Sequence, residues 1–493
     1  MIEIIITSIY ALTLGFIFIY ALTQFSLLLN YLRSNGKKEN VPKYNFSHPD
    51  EVPLVTIQLP LYNEYYVVER LLKTVAELQY PAEKLQIQVL DDSTDNSLEY
   101  TRQQVKKLRQ KGVPIEHVYR HEREGFKAGA LRDGLQKATG KFVVIFDADF
   151  MPNPDFLQKT IPYFKDEKIG VVQTRWGHLN RNFSILTKIQ AFALDAHFTF
   201  EQAGRNAAGH FINFNGTAGV WRKACIEDAG NWKGDTLTED LDLSYRAQMK
   251  GWKFKYLGHV ETPAELPVAM SAAKTQQFRW NKGGAENFRK MKWKLLFNRE
   301  LPLKTRFHGM MHLLNSSIFL IVFLMALLSI PMLYIKKYDP EFTAFFNALQ
   351  FFNISTVLFF FCYWYSYKHA EGVGSWRKFW SFTKEFITFF AVSIGLSLHN
   401  SMAVLEGHLG KRSSFIRTPK FNVLAGGSNQ WKKNKYITSK ITWITFLEGL
   451  MVLYFLFGIF SAVYLGDFGL IHFHLLLLVG FFFIFYHSIR RVA

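Results

Sequence analysis

Cysteine is almost missing from this chain of 493 residues: Cys225 and Cys362 are the only two. One falls in a soluble-looking stretch and the other in an apolar run. No disulfide framework therefore holds the fold, as expected of a domain facing a reducing cytosol. His197 and His210 show no HxxxH-type pattern and read as ordinary histidines. There is no internal repeat and no low-complexity tract, which excludes a solenoid and a disordered tether. Acid is in short supply, with 40 Asp and Glu against 58 Lys and Arg and a formal net charge of +18. That excess gathers at 274–306 (ten basic, two acidic) and at 410–440 (eight basic, none acidic), each beside an apolar run. In such places anionic lipid or a phosphate-bearing substrate is the expected partner, and nucleic acid is not.

Charge is absent altogether from residues 4–30, a run long enough to cross a bilayer. No basic segment precedes it and no small-residue cleavage site follows, so it is expected to stay rather than be removed as a signal peptide. Arg33, Lys37 and Lys38 favour keeping its far end in the cytosol. Four more apolar blocks follow, at 309–335, 343–366, 383–400 and 441–488, the last divided near Gly466 and Asp467. Block 383–400 is bracketed by Trp376, Arg377, Lys378 and Lys384, so 376–409 reads as helices lying along the membrane face. Five spans with the N-terminus outside then place 410–440 inside by the positive-inside rule, with Lys336 and Lys337 as the one misfit. The expected organisation is a membrane helix 1–32, a cytosolic domain 33–267 and interfacial helices 268–306. A C-terminal membrane region, 307–493, then carries the cytosolic loop 410–440.

The cytosolic domain opens on "PLVTIQLPLYNE" (53–64), a β-rich run ending in turn residues. A helical stretch, 65–79, leads to "LQIQVLDDSTDNS" (85–97), and a second helix leads on towards "KFVVIFDADF" (141–150). Strand and helix alternating in this way predict a parallel α/β sheet. In such sheets ligands bind beyond the carboxyl ends of the strands. Two of these strands end in carboxylates, Asp91-Asp92 and Asp147-x-Asp149. In extended chain, Asp147 and Asp149 point to one side, an arrangement suited to a hard divalent cation bridging to phosphates. Asp91 or Asp92 would accept hydrogen bonds from a nucleobase or ribose, and Lys127 would offset phosphate charge.

A third acidic cluster, "TLTEDLDLSY" (236–245), crowds Glu239, Asp240 and Asp242 together in an otherwise basic chain. Thr238 followed by acids predicts a helix N-terminus capped by Thr238. That reading accounts for the helix but leaves open why three carboxylates are needed.

Together, "DDSTD" (91–95), "FDAD" (146–149), "TED" (238–240) and "QQFRW" (276–280) resemble the four signatures of processive family-2 glycosyltransferases. "GFKAGALRDGL", "FNGTAGVWR" and "ELP" narrow the resemblance to the cellulose-synthase-like enzymes that make mannan or glucan backbones. It runs over most of 53–293 and implies a GT-A-type α/β domain, with a mixed, mostly parallel sheet, inserted between transmembrane helices. It further implies a nucleotide-sugar donor, UDP-glucose or GDP-mannose, and inversion at the anomeric carbon to extend a β-glycan. Carried over by position, Asp91 and Asp92 would hold the nucleoside end, with Pro60, Tyr62, Asn63, Glu64 and Lys127 beside them. Asp147 and Asp149 would bind the diphosphate and its Mg2+ or Mn2+, and Gln276 and Arg279 the pyrophosphate. Trp280 would stack on the acceptor sugar, above Asn215, Gly216 and Thr217. Asp240 would be the base, with Glu239 and Asp242 supplying a field that keeps its proton affinity high. Trp176 is a candidate second sugar platform.

"FIRTPK" (415–420) resembles the family's gating loop through Phe415, Thr418 and Lys420, with Arg417 where valine is usual. Two other readings compete. A non-processive transferase adding one hexose to a lipid differs in product length. A non-enzymatic transporter or scaffold would have lost a chemical residue, yet Asp147, Asp149, Asp240, Arg279 and Trp280 are all present. The expected location is a lipid bilayer, as a multi-pass protein of a bacterial inner membrane or of the Golgi.

Overall fold

The structure is a computed structural model that describes residues 1–34, 44–46, 49–372, 375–423, 434–437 and 441–490. Lys37, Lys38 and part of the loop 410–440 lie outside the described residues. Seven strands form one sheet: β1 (Val55–Leu61), β2 (Leu85–Asp91), β3 (Ile115–Tyr119), β4 (Phe142–Ile145), β5 (Ile169–His178), β6 (Gly219–Arg222) and β7 (Lys253–Ala264). Their order is β3-β2-β1-β4-β6-β5-β7. The first four are parallel, β6 runs against both its neighbours, and β5 and β7 are parallel to each other.

Period-two alternation explains how the sheet is covered on both faces. Val55, Ile57, Leu59, Val89 and Val144 pack into one apolar layer, and Leu90, Val143, Ile145 and Trp221 into the other. Two polar pairs lie within this arrangement and fix register. Thr56 opposes Gln86 and Gln58 opposes Gln88, with side-chain hydrogen bonds of 2.8 and 3.0 Å across the strands. A one-residue slip would break both and turn the apolar residues to the wrong face.

Topology also fixes where a site can form. The carboxyl ends of β1, β2, β4 and β5 lie along one edge. Because β6 is antiparallel, the segment that leads into it, 215–217, reaches that same edge. Below it lies the long helix Met270–Leu296. Gly283 lets that helix close on the start of helix Glu239–Met249, since a Cβ there would meet Thr238 Oγ1 at 2.5 Å. Two lysines, Lys274 partly and Lys282 fully buried, fasten the same helix to the apolar region: Lys274 to Glu448 at 2.6 Å and Lys282 to Glu406 at 2.9 Å.

Among the described residues five helices are long and apolar enough to cross a membrane, namely Ile2–Ser34, Ser317–Tyr338, Pro340–Glu371, Trp443–Leu465 and Ile471–Ile489. The pair Trp376–Gly395 and Ser397–Leu409 passes the same test only jointly and is bent by 50° at its break. Block 309–335 needs correction at its start. Residues up to Leu313 belong to a separate helix, Leu303–Leu313, whose Gly309 carbonyl accepts a hydrogen bond from Tyr245 of the α/β domain at 3.0 Å. The sequence misfit at Lys336 also finds an explanation: its ammonium pairs with Asp467 at 2.6 Å, at the turn between the last two apolar helices.

Candidate active site

Residues from six distant segments line one cleft at that edge. Lys127, Asp147, Asp149, Asn215, Gly216, Glu239, Asp240, Gln276, Arg279, Trp280, Phe415 and Lys420 surround its inner part. Pro60, Tyr62, Glu64, Asp92, Arg123 and Arg417 extend it outward, sharing Lys127, Asp147, Asp149 and Arg279 with the inner part.

Asp147 and Asp149 follow β4 in a turn rather than in extended chain, because the strand stops at Ile145 and Phe150 N–H bonds back to the Asp147 carbonyl at 3.1 Å. Both carboxylates still reach the cleft, so the expected geometry is corrected while the convergence stands. Asp147 accepts from Lys127 at 2.6 Å, and its backbone N–H is held by the Thr217 hydroxyl at 2.9 Å. Thr217 is thus a brace behind the cleft and does not line it. Asp149 is buried. One of its oxygens accepts from Lys420 at 2.6 Å and the other has no partner among the described residues.

Glu239 and Asp240 open helix Glu239–Met249, but Thr238 does not cap it with its side chain. Its hydroxyl instead accepts from Asn287 at 2.9 Å, which holds the helix start against Met270–Leu296. Asp242, expected to add to the field on Asp240, is neutralised by Arg246 at 2.8 Å and Lys290 at 2.7 Å. The field comes from Glu239. Burial, reinforced by the Glu239 charge, pushes the Asp240 carboxyl up to about 7. Burial also raises Glu239. For Lys127 burial acts to lower the proton affinity, but Asp147, Glu239 and Asp240 outweigh it and the net shift is upward. A carboxyl poised near neutrality beside a firmly charged ammonium can take a proton from a neutral hydroxyl.

Gly216 makes this approach possible. It sits at φ +79°, and a Cβ there would meet Asp240 Oδ2 at 2.9 Å. Trp280 and Trp176 lie next to each other in the inner cleft with ring centroids 6.4 Å apart and planes tilted by 49°, and both line it. Trp176 therefore belongs to the cleft wall as well as to the aromatic cluster with Phe150 and Phe198.

Some expected residues stand elsewhere. Asp91 is fully buried behind the cleft, accepting from Ser93 N–H at 2.9 Å and bonding His117 at 2.9 Å. Asn63, at φ +55°, shapes the loop by bonding Ser93 and Thr94. Neither lines the cleft. Asp92 does, clamped by Arg120 at 2.8 Å. Three lining residues drew no role from the sequence. Arg123 lies 3.3 Å over the Tyr62 ring. Glu265 accepts the Phe421 N–H at 2.9 Å, and His178 pairs with Asp195 at 3.0 Å. Arg123 was legible only as one more charge in "HEREGFKAG", since its meaning depends on a ring 61 residues away.

Segment 415–420 lies across the cleft. Phe415 packs under the Arg279 guanidinium at 4.6 Å and stacks with Phe126. Thr418 accepts from Arg279 at 2.9 Å. Arg417, the departure from the usual pattern, pairs with buried Glu64 at 2.7 Å. Burial raises the Glu64 carboxyl, with Arg417 and Lys420 opposing it.

Comparison with known proteins now bears on this cleft. Residues 53–283 match the model of the family described as glycosyltransferase like family 2. That stretch is thus similar to family-2 glycosyltransferases. The chain is 43% identical over 263 residues to a probable glucomannan 4-beta-mannosyltransferase 2 of Oryza sativa subsp. japonica, covering 52% of this chain and 45% of that protein. It is 42% identical over 284 residues to glucomannan 4-beta-mannosyltransferase 1 of Cyamopsis tetragonoloba, covering 55% and 54%. The chain thus spans about half the length of the curated relatives it matches. Among solved structures, a mannosyltransferase from Pyrobaculum calidifontis, in complex with GDP-Man and Mn2+, superposes with a TM-score of 0.54. The match is at 19% identity over 83% of this chain and all of that one. The α/β domain accordingly has a GT-A-like fold.

Proposed function

We propose that this chain is a membrane-embedded, inverting glycosyltransferase that polymerises a β-linked mannan or glucomannan from GDP-mannose. The observation that carries the reading is the convergence of Asp149, Asp240, Arg279 and Trp280 on one cleft, from segments up to 131 residues apart. Mannose as the sugar is supported by the printed names of the relatives and of the structural neighbour.

In this reading Asp240 takes the proton of the acceptor hydroxyl as that oxygen attacks the anomeric carbon in line, giving inversion. The oxygen–carbon bond forms as the carbon–phosphate-oxygen bond breaks, and the pair of electrons leaves on the nucleoside diphosphate. Arg279 and Lys127 offset that developing charge. Tyr62, Glu64, Asp92 and Arg123 hold the nucleoside end. Trp280 packs on the acceptor ring, whose axial C–H surface suits an aromatic face.

Asp149 and Asp147 are the residues that would hold a divalent cation. The unpartnered buried Asp149 oxygen fits this, and hard carboxylate donors suit Mg2+ or Mn2+. Among the described residues no three His, Cys, Asp or Glu side chains gather closely enough to hold a metal, so diphosphate oxygens would complete the shell. When bound, the ion neutralises diphosphate charge.

The glycosyltransferase domain is taken to face the cytosol, with 415–420 closing over the donor and the five apolar helices crossing the membrane. The test is a donor panel. Protein purified in detergent, given UDP- and GDP-sugars, should consume GDP-mannose at least tenfold faster than UDP-glucose. Equal or reversed preference would remove mannose from the proposal.

A further inference from the structure

On β5, Trp176 and His178 are two residues apart and so share one face of the strand; both line the inner cleft with Trp280 and Asp240. Gly177 between them turns towards Glu261, where a Cβ would meet Oε1 at 2.1 Å. His178 Nε2 lies 3.0 Å from Asp195 Oδ1, on helix Ile185–Ala196. Asp195 also accepts from Arg181. Burial acts to raise the Asp195 carboxyl, yet the bonds from His178 and Arg181 outweigh it and its proton affinity is lowered. An ionised carboxylate only accepts, so it holds an N–H at Nε2 and turns Nδ1 away from Asp195. Beside it, the Trp176 indole N–H is buried with no partner among the described residues.

One wall of the cleft therefore offers an aromatic face, an unused donor and an oriented ring nitrogen. A sugar ring presents the complement: a C–H face and, at its edge, hydroxyls that donate and accept. Burying an imidazole–carboxylate pair costs solvation that an apolar pair of similar volume would not. Such a pair beside a cleft is accounted for by a polar ligand.

We infer that His178, oriented by Asp195, is a hydrogen-bonding contact for the acceptor sugar in the part of the cleft lined by Trp176 and Trp280. The inference rests on the reading of this cleft as a glycosyl-transfer site. It adds a residue outside the four sequence signatures, with Asp195 as its positioning residue.

The test uses binding, which does not depend on turnover. Purified full-length protein is titrated with β-1,4-linked mannohexaose, and separately with cellohexaose, while its tryptophan fluorescence is followed. His178→Phe should weaken binding of at least one of them by about three- to tenfold, the range for one typical hydrogen bond lost. His178→Gln, which keeps a donor and an acceptor, should recover at least half of that loss in free energy. Asp195→Asn should weaken binding to the same extent, and the double variant no further. Donor affinity should stay within twofold throughout. The inference is overturned if neither oligosaccharide binds the unaltered protein, or if His178→Phe binds as well as it does. It is also overturned if binding falls only in step with melting temperature and Gln restores nothing, which would make the pair a brace between β5 and its helix. Binding that behaves as expected without any transfer from a nucleotide sugar would leave the inference standing and sink the proposed reaction.

Discussion

Asp240→Asn should remove activity and at the same time stabilise the protein at alkaline pH. The carboxyl is raised from its ordinary value of 3.8 to about 7 by burial and the neighbouring Glu239. A group whose proton affinity rises on folding contributes stability that is fully present below its unfolded value and lost as pH rises through the folded one. Each factor of ten in proton affinity corresponds to about 1.4 kcal/mol, so the ionised form costs the fold at most about 4 kcal/mol. Asp240 keeps part of its surface on the cleft, and solvent reaching it there brings the expected figure to about 2 kcal/mol. Asparagine has the same shape and no charge, and it cannot accept the hydroxyl proton. Melting curves in detergent should therefore coincide for the two proteins near pH 4. They should separate between pH 4 and 7, with the variant higher by about 4 to 8 °C above pH 7 on the scale usual for domains of this size. Turnover should fall by at least 10³-fold while donor binding is kept, and turnover of the unaltered protein should drop as pH falls below about 7. Retained turnover would remove Asp240 from the chemistry. A variant that melts lower than the parent at pH 8 would refute the electrostatic argument.

Lys420→Ala removes the ammonium that pairs with buried Asp149 across the cleft at 2.6 Å; donor KM should rise several-fold in initial rates over a donor series, and the melting temperature should fall because the carboxylate is left unpaired. Gly216→Ala places a methyl group 2.9 Å from Asp240 Oδ2 at a left-handed backbone position. The expected loss in kcat is about 10²-fold, with circular dichroism unchanged. Chelation with EDTA should abolish transfer and added Mn2+ or Mg2+ should restore it, whereas Asp149→Asn should raise the metal concentration needed for half-activation by at least tenfold. Glu64→Gln leaves Arg417 without its carboxylate in a buried site; unpairing a buried charge of this kind costs about 3 kcal/mol, which limited proteolysis should register as earlier cleavage within 411–423.

How far this was legible in the sequence differs from element to element. The strands β1, β2 and β4 could be read because their β-rich runs end in turn residues, and the apolar helices because charge is absent over whole spans. β6 could not, since four residues carry no usable period. Yet its antiparallel run is what brings Asn215 and Gly216 to the cleft. Strand-end spacing singled out Asp147 and Asp149, and the resemblance to family-2 glycosyltransferases added Asp240, Arg279 and Trp280; their meeting in one cavity follows from the sheet's shared edge and the long helix beside it. Asp91 and Asn63 stand off the cleft wall for a physical reason. A residue at a strand end can face the cleft or the loop behind it, and that choice depends on partners such as His117 and Ser93 in other segments. The same holds for Thr238, whose cap role was displaced by Asn287, and for Asp242, neutralised by a lysine 48 positions on. Arg123 and His178 are the clearest omissions. Each acquires its meaning from one distant neighbour, Tyr62 or Asp195.

The length of the product bears most directly on the whole account. Protein in detergent or proteoliposomes, given labelled GDP-mannose and a divalent cation, should build material of many sugar units that an endo-β-1,4-mannanase reduces to short oligosaccharides. Label recovered only as a glycolipid carrying a single hexose, or as polymer that no endo-β-glycanase cuts, would contradict it.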